Sequence, residues 1–408
     1  MARHPSRRQF TLALASGPVA VWGSHALAQS APPASTSWAA IEKSARGQTV
    51  YFNAWGGSTR INDYLKWAAA EVARLYGVTV EHVKVTDTAD VVKRVRTEKS
   101  AGKLQGGSVD MVWINGENFL AMKREGLLFG PFSEGLPSYA NVDTVGKPTT
   151  RIDFSEQVNG MEAPWGMAQL TFYADSTRLP KPPSSMQPLL DYARANPGRI
   201  SYPRPPDFMG TTFVKQAWLE RATDKSALYK PYAADNFAQS TENLWRFLDE
   251  LHPHLWRQGK QFPTNAVAIR QMLSDGELHL GMTFNPNEAA NEIAAHRLSS
   301  AVKSYQFESG TLGNTHFLAI PFNANASAGA QVFINFLMSP TAQARKADIK
   351  VWGDPTVLAI EKLPAAERTL FTQGQQPGQV ESPKPTLPEP HGTWVDPLEK
   401  EWLRRYGR

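Results

Sequence analysis

Five short stretches of this 408-residue chain gather glycine, small hydrogen-bonding side chains and aromatic rings. They are Trp55-Gly56-Gly57-Ser58, Asn115-Gly116-Glu117-Asn118, Trp165-Gly166-Met167, Phe208-Met209-Gly210-Thr211-Thr212 and Asn285-Pro286-Asn287-Glu288. Glycine lets backbone approach a ligand closely. Hydroxyls, amides and the N–H groups of a helix start bind oxygens. Aromatic rings add a flat apolar wall and a face for a cation. The chemistry of such a set is non-covalent capture of a small molecule. Every residue of these stretches except Met167, Met209, Pro286 and Glu288 is a candidate contact. Taken singly, each turn is explained better by helix capping, with Ser58, Asn118 and Thr211 as caps. Their recurrence favours a shared cleft.

Covalent chemistry finds less support. Glu117, Glu162, Asp207 and Glu288 could pair as the carboxylates of an exported hydrolase, the rival reading. No H-E-x-x-H, G-x-S-x-G or P-loop signature accompanies them. The chain has no cysteine, which excludes disulfides, thiolate metal sites and cysteine nucleophiles. His252-Pro253-His254 is the one close histidine pair, and its i,i+2 spacing does not set both rings on one helix face. Neither a metal nor a cofactor is expected. The sign of the ligand stays open. Glu117 and Glu288, beside Trp55 and Trp165, would favour a cationic or amine-bearing solute, whereas Arg204 and Lys215 around the 203–212 loop would favour an anion.

The central element is residues 108–119. Val109 to Ile114 is a short apolar run that suits a buried strand. It stops at Asn115, and a helix pattern opens at Phe119. In open α/β sheets, ligands bind beyond the carboxyl ends of strands. Upstream, residues 48–54 alternate as a strand and 62–76 read as an amphipathic helix stopped by Gly77. Residues 78–85 form a second strand, and 88–101 a basic helix with Val91, Val92 and Val95 inward. The β-α-β-α-β-α order predicts a doubly wound lobe. Residues 162–173 read as a long strand, interrupted by Pro164-Trp165-Gly166, of the kind that passes between lobes. A short strand is expected at 199–202, a helix at 213–221 and a strand at 278–284. A strand at 313–321 returns the chain to the first lobe, before an apolar helix at 328–338. Beyond Ile349 the chain is proline-rich and irregular, with one amphipathic helix at 397–406.

Hydrophobic content of 41% and charged content of 20% suit a soluble globular protein. The length exceeds what one core usually spans, so two lobes are expected. Ser6-Arg7-Arg8-Gln9-Phe10-Thr11-Leu12 resembles a twin-arginine export signal, followed by an apolar stretch at 11–22 and an A-x-A cleavage site at Ala26-Leu27-Ala28. The apolar stretch is too short, and too broken by Gly17 and Pro18, to span a bilayer. A retained N-terminal anchor is the alternative. Arg3, Arg7 and Arg8 sit in this segment and no acid does, so the formal charge of +5 falls by three to +2 after cleavage. That weakens any case for nucleic acid. The basic Lys93-Arg94-Arg96 stretch reads as a solvated helix face.

V-D-M-V-W-I-N-G-E-N-F, E-A-P-W-G-M-A-Q-L, Y-P-R-P-P-D-F-M-G-T-T-F and the late F-I-N-F-L-M-S-P-T-A-Q helix resemble extracellular solute-binding proteins of ABC importers, type II fold, YnjB-like subgroup. The resemblance runs from about Gln48 to the C-terminus. It implies an α/β fold of two doubly wound lobes joined by a hinge, with a mostly helical or irregular C-terminal extension. The implied division is 1–28 signal peptide, 29–47 linker and short helix, 48–167 first lobe, 168–312 second lobe, 313–349 return to the first lobe and 350–408 extension. It also implies a periplasmic monomer that closes on a small solute and presents it to an inner-membrane ABC permease. In such proteins the 55–58 and 115–118 turns touch solute.

Overall fold

The structure is a computed structural model that describes residues 37–372, 374 and 376–407. The expected export signal lies outside the described residues. The first lobe is built on β1 (Thr49–Trp55), β2 (Thr79–Val85) and β3 (Met111–Ile114), parallel and in the order β2-β1-β3. Ser58 caps the helix Thr59–Tyr76, its Oγ accepting from the Ile61 N–H at 3.5 Å. Gly77 ends that helix in the left-handed conformation that glycine adopts without a Cβ penalty. Ile61, Tyr64, Leu65, Ala68 and Val72 form its buried stripe, the spacing of a core-facing helix. Val91, Val92 and Val95 are the buried side of Thr88–Ser100, as their spacing predicts.

β4 (Ile152–Asp153) and β5 (Glu156–Gln157) form a small hairpin whose tip, Phe154 and Ser155, has φ of 43° and 67°. β6 (Glu162–Gln169) continues as one strand through Pro164-Trp165-Gly166, but the expected interruption appears there as a bulge, with Trp165 left out of the ladder between Pro164 and Gly166. Among the described residues the ladder of β6 is with one neighbour, so Pro164 removes no second set of hydrogen bonds. The break falls later, at Leu170, where the chain enters β7 (Thr171–Asp175) and the second lobe.

In that lobe β7 lies between β8 (Leu280–Thr283) and β9 (Val302–Tyr305), and both pairings are antiparallel. Among the described residues this sheet has no parallel pair, unlike the first lobe's β2-β1-β3. No strand forms at 199–202. The carbonyls of Arg199 and Ile200 accept from the N–H groups of His279 and Trp256, neither of which lies in a strand, and Tyr202 stacks on Phe213 with ring centroids 4.3 Å apart.

β10 (Thr311–Ala319) returns the chain. It pairs antiparallel with β6 along its length and with β3 near its end. β11 (Thr386–Leu387) pairs with its first two residues, so the C-terminal stretch also reaches the crossing. Each lobe has its own core. One gathers Phe52, Tyr64, Trp165 and Phe333, and the other Phe172, Tyr202, Trp218 and Trp245. The last helix, Val395–Tyr406, adds Leu398 and Trp402 to the second core. Among the described residues no helix is long and apolar enough to cross a membrane.

Candidate functional site

β2, β1 and β3 end along one edge of the first lobe. Trp55 pairs with Val85, and Asn53 with Val112, two residues before Ile114. The turns at 55–58, 86–87 and 115–118 therefore lie side by side. The Trp55 side chain is 39% exposed and lies against Gly57, where a Cβ would stand 2.3 Å from the indole. Gly56 backs onto Lys84 in the same way, at 2.7 Å. Asn115 precedes the helix Gly116–Arg124 without making a side-chain cap bond. Gly116 has φ of 61°, and a Cβ there would meet the Phe154 ring at 2.8 Å. Its N–H donates to Asp153 Oδ2 at 2.5 Å, which pins the hairpin beneath the turn.

Glu117 follows, steadied by Asn118 Nδ2, which donates to its Oε1 at 3.4 Å. Glu117 is exposed, with protein atoms packed closely around its carboxylate. That crowding desolvates the carboxylate and pushes its pKa up. Lys215 opposes the shift, and Glu389 and Asp87 reinforce it. Asp87 caps the helix Thr88–Ser100 through the Ala89 N–H at 2.8 Å. Sequence reasoning passed over it because its only visible sign was capping.

The facing side comes from the helix Phe208–Arg221. It starts five residues earlier than expected because Asp207 caps it, accepting from the Met209 and Gly210 N–H groups at 2.9 and 3.2 Å. Thr211 and Thr212 consequently lie inside the helix and are buried. Thr212 Oγ1 donates to the Phe208 carbonyl at 2.8 Å, and Thr211 Oγ1 to Glu399 Oε1 at 2.6 Å. Neither caps the helix, and neither presents its hydroxyl to open solvent. A Cβ on Gly210 would stand 2.2 Å from the Pro203 carbonyl oxygen. Phe208 is 41% exposed and packs edge-on against Phe284 at 5.3 Å.

Lys215, on the same helix, is buried. Its Nζ lies 2.7 Å from Glu389 Oε2, 4.4 Å from the Phe154 ring centre and 5.9 Å from that of Phe208. Asn314 Nδ2 donates to the other Glu389 oxygen at 3.3 Å. Burial, with Glu117 and Glu389 adding to it, lifts Asp153 well above the usual carboxylate range. Burial also lifts Glu399 to about 7, against its hydrogen bond from Thr211. Among the described residues one ammonium stands amid Glu117, Asp153, Glu389 and Glu399, and the raised pKa values of Glu117, Asp153 and Glu399 mean that these carboxyls hold protons more readily than free ones.

Several expectations need correction. Trp165 has no exposed surface. It packs against Trp113 and Trp352 at centroid separations of 5.0 and 5.4 Å, with Lys346 Nζ 5.6 Å from its ring. It is a core residue and offers no exposed wall. Gly166 is buried for the same reason: a Cβ would stand 2.1 Å from Asp354 Oδ2, the oxygen that holds Lys346 at 2.5 Å.

Asn285 and Asn287 donate to the carbonyls of Trp352 and Gly353 at 3.4 and 2.6 Å, tying the second lobe to the start of the extension, where Trp352 packs into the first core. Glu288 is paired with Arg270 at 2.8 Å and bonded to Thr283. The residues expected to attract an anion are also engaged, Lys215 as described and Arg204 with the Gly407 carbonyl at 3.1 Å. Glu162 is buried with neither oxygen hydrogen-bonded among the described residues. Burial, with Asp153 adding, pushes its pKa well above the usual range. Glu162, Asp207 and Glu288 therefore do not join Glu117 as a carboxylate pair. His252 bonds the Tyr202 hydroxyl through Nε2 at 2.7 Å, and burial lowers its pKa to about 3.

The bacterial extracellular solute-binding protein family matches residues 67–363 of this sequence. YnjB of Escherichia coli (strain K12) is 48% identical over 372 residues, which cover 91% of this chain and 94% of YnjB. Two solved structures are similar in fold. The periplasmic binding protein AfuA of Actinobacillus pleuropneumoniae has a TM-score of 0.61 at 15% identity, covering 88% of this chain and 99% of its own. The spermidine/putrescine ABC transporter substrate-binding protein PotD of Streptococcus pneumoniae has a TM-score of 0.58 at 14% identity, covering 88% and 98%.

Proposed function

This chain belongs to the family of bacterial extracellular solute-binding proteins, the solute-binding components of ABC transporters, and from that premise we propose that its solute is cationic, an organic molecule bearing an amine. The observation that carries this reading is the environment of Glu117. It is an accessible carboxylate at the carboxyl edge of the sheet, in a cluster where acids outnumber the one buried ammonium. A cation placed there favours the ionised form that burial disfavours in Glu117, Asp153 and Glu399. The exposed rings of Trp55 and Phe208 add apolar area and cation–π attraction. AfuA was solved with fructose-6-phosphate, and PotD serves a spermidine/putrescine transporter, so the fold accepts either sign of charge. The choice rests on this chain's own side chains.

Solute docks on one lobe, the other rotates onto it, and the new bonds between solute and second lobe stabilise the closed form. The working division places the first lobe at 48–167 and 313–349, the second at 168–312 and the extension at 350–408. Export on the twin-arginine signal with cleavage after Ala28, residence in the periplasm, action as a monomer and docking on an inner-membrane permease complete the proposal.

The test is native mass spectrometry of the mature protein, purified from its own periplasm without refolding. A small adduct with a basic nitrogen, lost on gentle activation, is expected. An anionic or sugar adduct would overturn the charge assignment. If the protein is bare, a thermal-shift screen of amines, vitamins, sugars and organic anions follows. A rise with amine concentration supports the reading, and a rise with anions alone sinks it.

A further inference from the structure

A cavity of about 380 Å³ lies between the lobes, and none of its lining residues belongs to the Glu117 cluster. Arg60, Asp63 and Arg345 come from the first lobe, Lys350 from the start of the extension and Arg297 from the second lobe. Four cations thus face one carboxylate. Neutral partners hold most of this charge in place. Arg60 Nη1 donates to the carbonyls of Ile349 and Lys350 at 3.3 and 3.0 Å, and its Nη2 to the Asn291 carbonyl at 2.9 Å. Arg345 lies over the Trp67 ring, 4.6 Å from its centre. Among the described residues neither Arg60, Arg345 nor Lys350 makes an ion pair, whereas Arg297 is bonded to Glu292 at 2.6 Å. The first turn of the helix Thr59–Tyr76 also borders the cavity, and the N–H groups at such a start attract anions.

We propose that this cavity binds a small multivalent oxyanion, of the phosphate or polycarboxylate kind, and that the anion bridges the two lobes. Planar guanidinium groups from three separate segments suit several oxygens at once. Carbonyls that already orient Arg60 lower the cost of ordering it around a ligand. An anion held by Arg297 on one side and by Arg60 and Arg345, with the adjoining Lys350, on the other favours the closed arrangement of the lobes. The proposal does not depend on the charge of the solute near Glu117.

Isothermal titration of inorganic phosphate and of pyrophosphate into the mature protein, at constant ionic strength balanced with chloride, tests it. Saturable binding is expected for at least one of the two. Lys350→Gln and Arg345→Gln, both at exposed positions, should each weaken it roughly tenfold with the melting temperature unchanged. Asp63→Asn should tighten it several-fold by removing a repulsion, an effect that a merely structural role would not produce. Arg297→Gln should weaken it as well. No saturable binding of either anion, or equal affinity in all variants, would overturn the site. Loss in the Arg345 and Lys350 variants with full affinity in Arg297→Gln would overturn the bridge between lobes.

Discussion

The Lys215 ammonium lies 2.7 Å from the Glu389 carboxylate, with both side chains almost wholly buried at 2% and 1% exposure. They are separated by 174 positions in sequence. Phe154, at the tip of the hairpin under the Gly116 turn, covers the ammonium. The pair thus joins the second lobe's helix, the C-terminal stretch and a first-lobe hairpin. Lys215→Met leaves a buried carboxylate without a counter-ion and should cost about 3–5 kcal/mol in urea unfolding. Glu389→Gln should cost a similar amount, and the double variant should recover much of it. A loss below about 1 kcal/mol in both single variants would mean that water reaches the pair.

Trp55 and Trp165 should separate binding from folding. Trp165→Ala empties a site inside the first core and should lower stability by about 3–5 kcal/mol, with solute affinity kept in the folded fraction. Trp55→Ala removes an exposed ring and should weaken solute binding by about 0.5–2 kcal/mol with little effect on unfolding. Calorimetry and titration on both variants check this. The reverse pattern would place Trp165 in the site and Trp55 in the core.

Glu117→Gln keeps the shape of the side chain and removes its charge. Binding of a cationic solute should weaken by about 1.5–3 kcal/mol, the range for a hydrogen bond to a charged group. Unaltered affinity would remove Glu117 from the site.

Glu399 provides a pH test. Its folded pKa of about 7 lies above its unfolded value of 4.5, so the folded protein holds the proton more tightly. The stability it contributes is fully present below pH 4.5 and is lost as the pH rises through about 7, on the order of 3 kcal/mol in all. Glu399→Gln fixes the neutral form and still accepts from Thr211. Its stability should fall less steeply than the wild type's across that window. Raised values at Glu117 and Asp153 act with the same sign, so part of the slope should remain. Identical slopes in urea unfolding series would show that Glu399 is not the group responsible.

Local pattern was enough to read much of this protein from its residues alone. The alternation before Trp55, the apolar run before Asn115 and the stop at Gly77 specify where strands and helices end, because backbone geometry sets those periods within a few residues. The recurring glycine-polar turns pointed to ligand capture, and the long 162–173 segment to a crossing between lobes. Tertiary structure alone decided which side chains share an environment. Trp55 and Trp165 both adjoin glycine in sequence, yet one is open and the other sealed under Trp352 and Lys346. The electrostatic surroundings of Glu117 are set by Lys215, Asp153, Glu389 and Glu399, which reach it only through chain folding over tens to hundreds of residues. The antiparallel order of the second sheet, and the engagement of Glu288 and Lys215 by Arg270 and Glu389, were hidden for the same reason. Periodicity reports which face of an element is apolar, whereas strand register and desolvation depend on what that face meets.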